Sequence, residues 1–502
     1  MKFTKNKVVY EQDINNIEGK AEAIVLPESI KEIEDIIKTS DKDIVPRGSG
    51  LSFVSGSLPN DSIIIDMSKM NRIIKIDKDR KAIHVQAGIT IKELNEILEG
   101  YNLELPINPL FSGIRTLGGI IATNSSGDRE IKYGRIRNWI NSLEIIDGKG
   151  NLQEISRGDV SDFAGMEGIT GIITSVKLRL TTKKTRTLSI YKSESLEEVI
   201  KLNRKLKLDH EVSMIELLGK TLCKLHGLED KYHLFVEFES SRGNQKNKEY
   251  LDFMKLKDKS YYTLASNGFI HLENTKVFMD KFSEFILYLE QNNIPFFCNL
   301  GSGVVYFCLR ENDPKKQEVL QLTKRIRGKL SDGLGIGLTK KSFLDPTEIK
   351  LIRRIKERYD PDYKINRNKV IDFTLVIKEE PKVEIEKIEA APTEEPEIGG
   401  VNQKEDEASR NLGVLSPEEE IEEFIEQEKV DEILHAEPIV EEKIPLTPHK
   451  SVFNETEEKP REILNDKEKM YQAIEQNVTL KKEELSEEEK EKIKKIAGGY
   501  FG

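Results

Sequence analysis

Between two apolar runs, Asp43-Ile44-Val45 and Ser62-Ile63-Ile64-Ile65-Asp66, the chain reads Pro46-Arg47-Gly48-Ser49-Gly50-Leu51-Ser52-Phe53-Val54-Ser55-Gly56-Ser57-Leu58-Pro59. Three glycines and four serines in this stretch give a backbone that turns sharply and lets a ligand come close. Such a loop aims several N–H groups at one anion, the usual cradle for a pair of phosphates. The same composition also makes plain turns between strands, so the loop gains meaning only together with other segments of the chain.

The surrounding pattern is mixed. Ala21 to Pro27 reads as a strand, and Ile30, Ile33, Ile36 and Ile37 fall at helical spacing behind a Ser29 N-cap with Glu32 three residues on. Ile73 to Ile76 and Ala82 to Gln86 form a hairpin about Asp77-Lys78-Asp79-Arg80, and Thr90 caps a helix from Ile91 to Leu98. Strands come later at Ser142 to Ile146 and Ile169 to Leu180. From about Lys183 longer amphipathic helices take over: Ser195 to Leu208, Asn244 to Leu256, Met279 to Gln291 and Pro314 to Leu330. Strand-like runs such as Tyr232 to Phe238 and Val304 to Leu309 lie between them.

Two further segments belong with the glycine loop. One runs Leu105-Pro106-Ile107-Asn108-Pro109, then Thr116-Leu117-Gly118-Gly119-Ile120-Ile121-Ala122-Thr123-Asn124-Ser125-Ser126-Gly127; the other is Gly165-Met166-Glu167-Gly168-Ile169-Thr170-Gly171-Ile172-Ile173-Thr174. In this order and spacing the three resemble the flavin-binding domain of the vanillyl-alcohol oxidase/p-cresol methylhydroxylase superfamily. Within it they are most similar to the FAD-binding subunit of glycolate oxidase and to D-lactate dehydrogenase. The likeness covers roughly residues 20 to 372 and is strongest up to about 180.

The resemblance implies an α+β fold: a two-subdomain FAD-binding domain over 1–182, an α+β cap over 183–344 and a closing helix with a return segment over 345–376. It implies FAD held by Arg47, Gly48, Ser49, Gly50, Leu51 and Ser52 at the pyrophosphate. Pro106, Asn108, Thr116, Gly118, Gly119, Thr123, Asn124, Ser126 and Gly127 would line pyrophosphate and ring, with Glu167, Gly168, Gly171 and Ile172 closing over the cofactor. Relatives with covalent flavin commonly place histidine in the glycine loop; Leu51-Ser52 stands there, which implies noncovalent FAD. The implied reaction is oxidation of a small 2-hydroxy acid by hydride transfer to flavin.

The family's polar machinery is missing from the cap. A motif of the form His-x-Gly-Asp-Gly-Asn-x-His aligns with Asn299-Leu300-Gly301-Ser302-Gly303-Val304-Val305-Tyr306, and Gly-Glu-His-Gly-Ile-Gly aligns with Asp332-Gly333-Leu334-Gly335-Ile336-Gly337. No histidine lies between His271 and His435, so these positions offer no imidazole for a metal or a general base. The alternative to an active dehydrogenase is a flavoprotein subunit without its own hydroxy-acid chemistry. Tyr306, His271 and Lys340 are the remaining catalytic candidates, each with a plainer reading: a packing tyrosine, a structural histidine and, with Lys341, surface lysines. Arg115 and Lys132-Tyr133-Gly134 lie in or beside the flavin-binding segments and are placed to touch cofactor or substrate.

Charge divides the chain. From Ile377 onward 36 acidic residues face 18 basic ones, so that stretch carries −18 of formal charge and the residues before it +7, against −11 for the whole. The mildly basic part suits an anionic cofactor and a small anionic substrate, and lacks the basic stripe of a nucleic-acid binder. Three scattered cysteines and no Cys-x-x-Cys pair exclude an iron–sulfur cluster housed in this chain alone. No apolar run reaches the roughly 18 residues a transmembrane helix needs, and the expected location is cytoplasmic, peripheral to a membrane only through a partner. Residues 377–502 read as a mostly disordered acidic tail with two short amphipathic stretches. Segments 416–434 and 484–501 are the expected docking site for a separate iron–sulfur or other electron-accepting subunit.

Overall fold

The computed structural model describes residues 2–3, 7–14, 17–246 and 248–373. The acidic tail and its two expected docking segments lie outside the described residues.

The first sheet runs in the order Lys2–Phe3, Lys20–Leu26, Asn60–Asp66, Ile44–Arg47, with the last three strands parallel. The apolar Ile63-Ile64-Ile65 run is central because both of its faces are covered. Ile64 packs with Ala21, Ile24 and Val45, while Ile65 packs with Val25 and with Ile33, Ile36 and Ile37 of the helix Ile30–Thr39. Ser29 caps that helix as expected, its Oγ accepting the Glu32 N–H at 3.4 Å, a contribution of about 1 kcal/mol.

A five-stranded antiparallel sheet runs Ile73–Asp77, Ala82–Gln86, Ile172–Arg179, Ile140–Ile146, Leu152–Ser156. The helix Ile91–Glu99 packs Ile91, Leu94 and Leu98 into its core and starts at the expected Thr90, here with a full capping box.

The third sheet orders Thr187–Ser193, Tyr232–Phe238, Val212–Leu218, Phe296–Asn299, Val304–Leu309, His271–Lys276, all antiparallel. One face is covered by the helices Leu196–Leu206, Met279–Gln291 and Lys315–Arg325. The other meets the helix Lys248–Ser266 and, across it, Phe53, Leu110 and Phe111 from the segments expected to hold cofactor. This second face therefore looks onto the site.

Two helices differ from their sequence reading. The one expected over 244–256 is Lys248–Ser266, because its C-terminal half buries Tyr261 and Leu264 under the third sheet. The one expected over 314–330 ends at Arg325, since Arg327 adopts φ +59° and Lys329 bridges back to Lys276 of the sheet. The closing helix Pro346–Tyr359 carries an Asp345 capping box, and Ile365 then bridges Ile44 in parallel, returning the chain to the first sheet beside the glycine loop.

Candidate FAD site and the facing cap

The loop after Ile44–Arg47 is shaped from beneath. Arg47 is buried and turns back, Nη2 donating to the Val9 carbonyl at 2.8 Å with the guanidinium 4.7 Å from the Tyr10 ring. It fills the space under Gly50, which has φ +70° and no room for a Cβ. Gly48 sits against the Thr116 hydroxyl with equally little room, so the first and second segments touch there. Ser52 Oγ accepts the Gly56 N–H at 2.8 Å and pins the turn. Among the described residues, the backbone N–H groups of Ser49, Gly50, Leu51 and Ser52 donate to no protein acceptor. Four consecutive free donors on a partly exposed loop are what a diphosphate requires.

The second segment wraps the helix Leu117–Ala122, capped by Thr116, whose Oγ1 accepts the Gly119 N–H at 3.3 Å. A Cβ at Gly118 would come within 3.0 Å of the Ala87 side chain, so the helix and Ala87 approach closely there. Pro106 and Ser126 are buried, and Asn108 spans the turn, donating to Asp128 at 2.8 Å and accepting from Ser112 at 3.1 Å. Gly127, at φ +93°, lies directly on the Asn108 carbonyl. Thr123 Oγ1 accepts from Arg115 at 2.7 Å, and Asn124 takes φ +46° with its Oδ1 buried and lacking a hydrogen-bond donor among the described residues.

The third segment is bonded to the second: Gly165 N–H donates to Ile121 O at 3.1 Å and Glu167 N–H to Ala122 O at 2.8 Å. A Cβ at Gly168 would come within 3.0 Å of Pro46, while Gly171 packs under Ile146 as Ile172 begins its strand. Asn366 Nδ2 joins the Gly56 carbonyl (3.0 Å) to that of Glu167 (2.9 Å), tying the return segment to both. Across the three runs Gly333 to Gly337: the Glu167 carboxylate accepts the N–H groups of Ile336 (2.5 Å) and Gly337 (3.0 Å). Burial pushes that carboxyl up to about 7 against those two hydrogen bonds.

All three segments thus converge, and their free N–H row and the bare Asn124 Oδ1 fit the phosphates and polar edges of FAD. Lys369 escaped the sequence reading. It is 4 % exposed with no carboxylate within ion-pair range among the described residues, and burial and the Lys341 ammonium push it down to about 8.

On the cap side Asn299 donates to the Gly127 carbonyl at 3.1 Å, and Tyr306 stacks on Phe297 at 5.0 Å. Burial raises the Tyr306 phenol above its usual range, so it stays protonated at neutral pH. His271 pairs with Leu309, three rungs along the strand from the Asn274–Tyr306 pair, and burial lowers its pKa. Lys340 is no surface lysine: it is fully buried, 2.8 Å from Glu273, and donates to the carbonyls of Asn274 and Leu330. Lys341, partly buried, binds Asp372 at 2.5 Å. Lys132 pairs with Glu239 at 2.9 Å, Tyr133 hydrogen-bonds the same carboxylate and Gly134 turns at φ +68°. Lys132 and Tyr133 are thus tied to the third sheet through Glu239.

The sequence reading also passed over several buried charges on this face. Lys257 bridges Asp128 and Glu216, and Asp332 is bound by Arg135 with Lys276 at 3.7 Å. Their signal in the sequence was absent, because isolated charges in strands and helices read as surface until the partner segment is placed.

Residues 21–156 match a family described as FAD binding domain. The chain therefore carries an FAD-binding domain. The flavoprotein is 22 % identical to D-2-hydroxyglutarate dehydrogenase of Stutzerimonas stutzeri, over 72 % of this chain and 96 % of that one. Against D-lactate dehydrogenase of Anaerostipes hadrus the identity is 24 %, over 70 % and 90 %. Against glycolate oxidase subunit GlcD of Bacillus subtilis it is 30 %, over 37 % and 43 %. In fold the flavoprotein is similar to alkyldihydroxyacetonephosphate synthase, with TM-score 0.52 and 18 % identity over 70 % and 76 %. No helix among the described residues is long and apolar enough to cross a membrane.

Proposed function

We propose that this flavoprotein oxidises a small 2-hydroxy acid, with FAD bound noncovalently by residues 46–57, 106–127 and 165–172. When bound, FAD supplies the hydride acceptor for the α-carbon of the substrate. The free N–H row of Ser49 to Ser52 carries this reading, together with relatives that are hydroxy-acid dehydrogenases over nearly their whole length. Noncovalent binding is supported by the three segments themselves: residues 46–59, 105–127 and 165–174 contain no histidine, cysteine or tyrosine to form a flavin bond.

The division of labour places the cofactor in residues 1–182, the substrate-facing sheet in 183–344 and the closing helix and return in 345–376. Electrons leave to a separate acceptor, because no cysteine cluster is available in this chain, and the acidic tail from 377 is its docking element. Three free, buried cysteines suit a reducing cytoplasmic setting.

A second reading has its own support. Asn299 is engaged with the Gly127 carbonyl and Tyr306 is held protonated, so neither offers a base at neutral pH where relatives would place histidine. On that reading the chain relays electrons and the hydroxy-acid chemistry lies on another subunit. Anaerobic mixing of the FAD-loaded full chain with glycolate, D-lactate and D-2-hydroxyglutarate separates the two. Bleaching of the flavin band is expected with at least one acid; an unchanged spectrum with all of them rejects the dehydrogenase reading. Acid precipitation of the yellow protein should release all of the flavin into the supernatant.

A further inference from the structure

Several buried or partly buried cations in this fold sit against carboxylates. Arg129 meets Glu237, Arg135 meets Asp332, Arg186 meets Glu104, Lys257 meets Asp128 and Lys340 meets Glu273, each within 4 Å. Like Lys369, Arg115 is different. It is 7 % exposed, yet no carboxylate lies within 4 Å of it among the described residues. Its side-chain partners are neutral oxygens, both taken by Nη2: Thr123 Oγ1 at 2.7 Å and the Gly333 carbonyl at 3.3 Å. Nε and Nη1 reach no protein acceptor among the described residues, and neither is among the fully enclosed nitrogens without a partner.

The position is fixed rather than incidental. Arg115 ends a turn in which its own N–H and that of Ile114 both donate to the Phe111 carbonyl at 3.0 Å. Phe111, at φ +61°, is clamped by Phe53 (5.7 Å), Tyr261 (5.6 Å) and Tyr262 (6.4 Å). Thr123 belongs to the second FAD-binding segment and Gly333 to the run that crosses Glu167, so the guanidinium stands where the flavin segments meet the cap. A buried guanidinium without a counter-charge is costly, and its free planar edge matches the two oxygens of a carboxylate. Burial lowers its pKa to about 10, with Tyr306 opposing, so the charge persists at neutral pH.

We propose that Arg115 binds the carboxylate of the substrate and thereby sets the preference for acids over neutral alcohols. This rests on the 2-hydroxy-acid reading above, and the test is built to fail separately from it. Arg115→Gln retains donors for Thr123 and Gly333 while removing the charge, and Arg115→Lys restores charge without the fork. In the FAD-loaded full chain, oxalate and pyruvate are titrated against perturbation of the bound-flavin spectrum, a readout independent of turnover. Charge-assisted hydrogen bonds of this kind correspond to roughly 10- to 100-fold in affinity. Arg115→Gln should weaken both anions by that factor, Arg115→Lys should recover part of it, and the neutral analogue lactamide should bind all three proteins alike.

If wild type binds oxalate but no hydroxy acid bleaches the flavin, the dehydrogenase reading fails and the Arg115 assignment stands. Unchanged oxalate affinity in Arg115→Gln overturns the assignment, as does a wild-type protein that binds neither anion. Selective loss of FAD from Arg115→Gln, with anion binding intact on reloading, would assign the guanidinium to the cofactor instead. Should Arg115→Gln fail to fold, Arg115→Lys alone decides, since anion affinity equal to wild type would exclude a bidentate role.

Discussion

Glu167 is the residue on which the closure of the site turns. It holds φ +50°, and its carboxylate takes two consecutive N–H groups from the glycine-rich run at 336–337, with Gly335 too close to its oxygens to carry a side chain. Burial raises its pKa to about 7 in the fold, above the ordinary 4.5. Ionisation is therefore disfavoured by folding: the stability linked to Glu167 is fully present below about 4.5 and is lost as pH rises through about 7. Because the side chain is partly exposed, the effect should be on the order of 1 kcal/mol. Thermal unfolding of wild type and Glu167→Gln across pH 5 to 8 checks this. Wild type should lose stability relative to the variant as pH rises; parallel curves would mean that the carboxylate is already ionised throughout.

At the scale of elements, much was legible because local signals and packing agree. The strand, helix and strand that deliver the glycine loop were readable from Ser29, the isoleucine spacing and the flanking apolar runs, and Thr90 announced the helix Ile91–Glu99 in the same way. The convergence of three small-residue segments was legible only through their order, since nothing local says that Gly48 must lie on Thr116. Where reading failed, tertiary contacts decided: Lys340 looks like a surface lysine until Glu273 is placed beside it, and the helix Lys248–Ser266 runs past its apolar spacing to bury Tyr261. The close approach at Gly48 yields its own prediction. Gly48→Ala drives a methyl group into the Thr116 hydroxyl and displaces the row of free N–H groups, so FAD affinity should fall at least tenfold while the apoprotein stays folded. Gly158→Ala meets nothing within 4 Å and serves as the control. Fluorescence titration with FAD measures both; equal affinities would show that the loop gives way.

The whole molecule is held together at the cap by buried charge as well as by apolar packing. Arg129, two residues beyond Gly127, sends Nε and Nη2 to the two oxygens of Glu237 at 2.7 and 2.9 Å, in the middle of the cap sheet. Ser213 and Tyr250 add hydrogen bonds of 2.6 Å each, and Arg186 approaches at 3.5 Å. Burial alone would raise this carboxyl, yet Arg129 and Arg186 bring it down to about 2. With the folded pKa depressed, the stability it contributes is present above about 4.5 and is lost as pH falls toward 2. Arg129→Met leaves the fully buried Glu237 short of its principal counter-charge, which should cost about 3–5 kcal/mol at pH 7. The deficit should shrink as pH falls from 7 to 3, because protonation of Glu237 relieves the variant, while below about 4.5 wild type begins to lose the pair's contribution as the unfolded chain takes up the proton. Denaturant unfolding of both proteins at pH 7, 4.5 and 3 tests this, and a deficit independent of pH would show that Arg129 contributes packing rather than charge. FAD affinity measured on the same samples adds the link to function. If the pair sets how the cap lies over residues 108–127, the variant should bind FAD more weakly even where it remains folded.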